Sequence, residues 1–86
     1  MEFDNLVLDV FIEKQLKLYP QKVAESREEA NEFLIDCGAF VASDLNDLWR
    51  YFEEEGLDTD GLTKKDIATA DEVFDIGDGR FLVVEA

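Results

Sequence analysis

The chain has 86 residues, 47% hydrophobic and 12% aromatic, enough apolar material for one modest core and too much for wholesale disorder. Its 22 acidic and 8 basic residues leave a net charge of −14, which argues against direct binding to nucleic acid or an anionic membrane, since phosphate contacts need Lys and Arg. There is no histidine and one cysteine, Cys37, which excludes Ser-His and Cys-His nucleophiles, His metal ligands and an internal disulfide.

An unpaired cysteine and the lack of a signal peptide point to a reducing, cytoplasmic setting. The longest apolar run, Phe81 to Val84, is far too short to span a bilayer. No repeat, low-complexity tract or linker divides the sequence, so residues 1–86 read as one small domain.

In chain order, residues 1–19 read as a first helix, capped by Asp4 or Asn5 and stopped by Pro20, since the residue before proline avoids the α region. Leu8, Phe11, Ile12 and Tyr19 form its stripe. Val7, Val10, Leu16 and Leu18 widen it, which implies deep burial or, alternatively, some surface turned to a partner. Residues 20–25 form a connector. Ser26 and Glu29 match a capping box, predicting a second helix from Arg27 to about Asp36 with Ala30, Phe33 and Leu34 inward. A helix continuing through Gly38 would lose about 1 kcal/mol relative to Ala. Residues 39–42 are therefore read as a short buried strand, although periodicity types so short a run poorly.

Residues 43–57 carry the strongest helical pattern. Leu45, Leu48, Trp49 and Phe52 recur at i, i+3, i+4 and i+7, predicting one apolar stripe with Trp49 largely buried. Ser43 stands at the N-cap, Asp44 and Asp47 lie near the first turn, and Gly56 suits the left-handed C′ position with Phe52 and Leu57 in contact. Residues 58–61 form a turn. Thr63 and Asp66 predict a capped fourth helix over about 64–70. The chain closes in a hairpin, with Asp78-Gly79 or Gly77-Asp78 as the two-residue loop. Either loop places Phe74, Ile76, Phe81 and Val83 on one face, and only the second sets Asp75 opposite Arg80. A three-residue loop would mix the faces. The expected class is α+β: three to four helices on a two- or three-stranded antiparallel sheet ending in the C-terminal hairpin.

The segment WRYFEEEGLD, the short capped helix after it and the ending EVFDIGDGRFLVVEA together resemble a group of short acidic bacterial proteins over roughly the second half of the chain. The resemblance implies no site residue. A glyoxalase-type metal centre does not fit, because it needs His and Glu ligands on paired βαβββ modules and this chain has no His.

Other constellations carry little chemistry. Cys37 lies between Asp36 and an apolar run, both of which raise a thiol pKa, so it reads as a small buried hydrophobe. Aligning Gly61 with the invariant glycine of a calcium loop puts Gly56 and Ile67 where carboxylates are required, so 58–61 reads as a plain turn. Gly77-Asp78-Gly79 lacks the helix that follows a phosphate cradle. Carboxylate pairs such as Glu28 and Glu32 arise without purpose in so acidic a chain.

Charge distribution says more. Residues 1–24 hold four acids and three bases, net −1, whereas residues 25–86 hold eighteen acids and five bases, net −13. Glu53, Glu54 and Glu55 fall in the last turn of the central helix, where the dipole favours cations and each misplaced charge costs a few tenths of a kcal/mol, up to about 1. With Asp58 and Asp60 they form the candidate partner-binding set. The sequence thus predicts a small cytoplasmic binding or regulatory module whose acidic surface engages a basic protein, without catalysis, cofactor or metal. The alternative is a homodimerising helper domain whose charge serves only solubility.

Overall fold

A computed structural model describes residues 2–54 and 61–84. The elements run α1 (Asn5–Lys14), a 3₁₀ turn (Gln15–Lys17), α2 (Arg27–Asp36), β1 (Phe40–Ala42), α3 (Leu45–Glu54), α4 (Lys64–Ala68), β2 (Val73–Asp75) and β3 (Phe81–Val83). This is the expected α+β class, with four α-helices and a three-stranded antiparallel sheet among the described residues.

Local chemistry sets most helix ends. Asp4 caps α1, its Oδ1 accepting from the Val7 N–H at 3.0 Å. Ser26 Oγ accepts from Glu29 N–H at 3.2 Å, while the Glu29 carboxylate reaches past the cap to the Glu25 N–H at 3.1 Å. At α4 the Thr63–Asp66 capping box is complete, with bonds of 3.2 and 2.9 Å. α2 stops where Gly38 takes φ 70°, a left-handed conformation that costs a side-chain-bearing residue far more.

Two helices depart from their expected limits. The first does not continue to Tyr19. It tightens into the 3₁₀ turn after Lys14, and the N–H groups of Leu18 and Tyr19 both close on the Gln15 carbonyl. α3 begins one residue later than expected. Asp44, not Ser43, caps the Asp47 N–H at 2.8 Å, and the Asp47 carboxylate returns to the Ser43 N–H at 2.9 Å. The Gly56–Leu57 ending and most of the turn at 58–61 lie outside the described residues.

β3 is the middle strand, in the order β1-β3-β2. Phe40, Val41 and Ala42 pair with Val83, Leu82 and Phe81, and Val73, Phe74 and Asp75 pair with the same three residues of β3. Ile76 N–H bonds the Arg80 carbonyl, so the hairpin loop has three residues, Gly77-Asp78-Gly79, in place of either two-residue loop. The glycines take φ 98° and 100°. This odd shift overturns the expected single face of Phe74, Ile76, Phe81 and Val83, and it sets Asp75 opposite Phe81, not Arg80.

The sheet is consequently apolar on both sides. Phe74, Ile76, Leu82 and Val84 face one core with Val7, Leu8, Phe11, Ala30 and Leu34 of α1 and α2. Val73, Val83 and Ala42 face a second core with Leu48 and Phe52 of α3 and Ile67 of α4. The architecture is three layers: a helix pair, the sheet, and another helix pair. Trp49 packs on the second core but is only partly buried, at the margin of a stripe centred on Leu48 and Phe52. No helix among the described residues is long and apolar enough to cross a membrane.

Candidate functional site: the acidic end of the central helix

The strong apolar stripe of α3 anchors its buried side to the sheet and turns its polar side outward. Phe52 is buried, whereas Glu53 and Glu54, the next two residues, are exposed. Successive helix positions diverge by about 100°, so these carboxylates fan across the open side of the last turn. Among the described residues neither makes a hydrogen bond or an ion pair, and α3 has no basic residue in its last turn. Arg50 stands three and four residues before them, yet no ion pair joins it to either. A cation N-terminal to its acid is the weaker order for such helical pairs.

Of the five predicted contact residues the structure therefore places two, Glu53 and Glu54. Glu55, Asp58 and Asp60 lie outside the described residues.

The paired charges sit elsewhere. Arg27 Nε meets Asp9 Oδ1 at 2.8 Å across α1 and α2, and Arg80 bridges Asp78, at 2.8 Å, and Asp4. The Arg80 guanidinium, chiefly by hydrogen bonding, holds the Asp4 and Asp78 carboxyls below the usual carboxylate range, and Arg27 does the same for Asp9. Lys64 bonds the Asn46 side chain and ties α4 to α3. Lys17 bonds the Val73 carbonyl on the outer side of β2, its Nζ standing 5.5 Å from the centre of the Phe74 ring.

No group of three or more His, Cys, Asp or Glu among the described residues is placed to hold a metal ion. Cys37 is half-buried, and burial pushes its thiol pKa up, away from a reactive thiolate. Every buried side-chain N and O among the described residues has a partner. The most demanding is Gln15, wholly buried, which no polar motif singled out. One signal did exist: Gln15 stands seven residues after Leu8, at a position of the same apolar stripe.

Compared with known proteins, the chain matches no family model, no curated protein and no solved structure.

Proposed function

We propose that this is a small protein-binding module, working in the cytoplasm without catalysis, whose acidic surface docks a basic protein partner. The carrying observation is the pair Glu53 and Glu54: exposed, without cationic partners among the described residues, and placed where the helix dipole opposes them. Selection for stability alone favours lysine at such positions. Opposed charges kept at a helix end fit recognition, because complementary potentials steer encounter and reject wrong partners.

The test is the double substitution Glu53→Lys with Glu54→Lys. It should stabilise the isolated chain by a few tenths to about 1 kcal/mol for each site. It should also abolish capture of basic proteins and slow their association most at low salt. Unchanged capture would discard the docking role, and a loss of stability would contradict the electrostatic argument.

One observation favours a homodimeric helper domain instead. Leu16 is 57% exposed and Val23 37% exposed, and the Val23 N–H bonds the side chain of Gln15, the residue before Leu16. Self-association through these exposed apolar side chains would survive high salt, whereas acidic docking would not.

A further inference from the structure

The two edges of the sheet are not equivalent. Val84 N–H bonds the Glu72 carbonyl and Ile76 N–H bonds the Arg80 carbonyl, so the even-numbered residues of β3 turn their backbone groups to β2. Phe81 and Val83 then serve β1, pairing with Ala42 and Phe40. By the same alternation Val41 turns its N–H and C=O away from the sheet.

Edge β2 is closed at Val73. Of its two outward residues, Val73 has its N–H bonded to the Ala70 carbonyl and its C=O taken by Lys17, and Val73 and Phe74 are both wholly buried, whereas Asp75, beside the hairpin loop, is exposed and its backbone groups meet no partner among the described residues. Edge β1 has no such cover among the described residues. The N–H groups of Ala39 and Ser43 are used by the Leu34 carbonyl and Asp47, but the Ala39 carbonyl, both Val41 groups and the Ser43 carbonyl meet no partner there. Ala39, Phe40 and Val41 are each only partly buried.

The surrounding charge specifies what fits. Residues 28–54 hold eight acids and one base, Arg50, net −7, and β1 lies inside that stretch. A second copy of the chain would bring a like charge to a three-residue edge. We propose that β1 receives an extended basic segment of a partner protein as a fourth, antiparallel strand. Its main chain pairs with Val41 while its Lys and Arg side chains meet the flanking carboxylates. This inference rests on the acidic-docking reading and adds the mode of capture.

A short synthetic peptide alternating valine and lysine is the probe, followed by amide NMR at low salt. Binding should slow exchange of the Val41 amide and shift resonances of residues 39–43. N-methylating the peptide's alternate amides on the pairing side should weaken binding by about tenfold or more, since it deletes hydrogen bonds while keeping every charge. Val41→Pro should weaken it similarly without unfolding the chain, because the lost N–H serves no internal ladder bond. Shifts confined to Glu53 and Glu54, with Val41 unprotected and N-methylation without effect, would overturn the edge proposal and leave acidic docking intact. No binding at all would overturn both.

Discussion

Gln15 shows what one buried amide can hold. Its Nε2 donates to the carbonyls of Ile12 and Ala24 at 2.9 and 2.8 Å, and its Oε1 accepts from Val23 and Ala24 N–H at 2.6 and 3.0 Å. The connector after Pro20 is thereby fastened under the first helical layer. Gln15→Leu keeps the volume and strands those backbone groups, at about 1–3 kcal/mol for each one left buried without a partner. Urea denaturation should show the loss. Trp49→Ala should cost less than the roughly 3–5 kcal/mol of a fully buried aromatic, whereas Phe52→Ala should fall inside that range. Equal losses at the two sites would contradict the partial burial of Trp49. Acid should act through Arg80. Carboxyls whose folded pKa is depressed contribute stability that is present above the unfolded value, about 3.9, and lost as pH falls through the lower folded value. Asp4 and Asp78 both behave this way, so Arg80→Ala should raise their NMR titration midpoints and move acid unfolding to higher pH.

At the scale of elements, the sequence announced helices better than strands. Side-chain caps at Asp4, Ser26 and Thr63 are written locally, and so is the stop at Gly38. The hairpin register is not. A sheet covered on one face alternates apolar and polar residues, and that alternation reveals which residues point inward. Here Phe81, Leu82, Val83 and Val84 serve two cores, so their uninterrupted apolar run was compatible with any loop length. The acidic end of α3 was legible because charge is read directly from the residues. The open edge at Val41 was not, because which strand lies outermost depends on pairing across some forty positions. Lys17 owes its role to the same topology. Lys17→Ala should bare the Val73 carbonyl and promote strand-to-strand self-association. Sedimentation at high salt, where repulsion is screened, checks this, and a variant that stays as monodisperse as the parent would show that Lys17 does not guard the edge.

For the molecule as a whole, net charge works against compactness. With −14 to accommodate and only three ion pairs among the described residues, all with solvent access, added salt should screen more repulsion than attraction. The melting temperature should therefore rise with sodium chloride; a fall would mean that the Arg27 and Arg80 bridges outweigh the surplus of acids. β3 has a further consequence. Leu82 lies in one core and Val83 in the other, so each helix pair packs against opposite sides of the same strand. Neither pair keeps a complete floor once β3 leaves, and two hydrophobic clusters should melt as one cooperative unit. Trp49 emission reports the second cluster and amide exchange in α1 reports the first; their denaturation midpoints should coincide, as in an all-or-none transition.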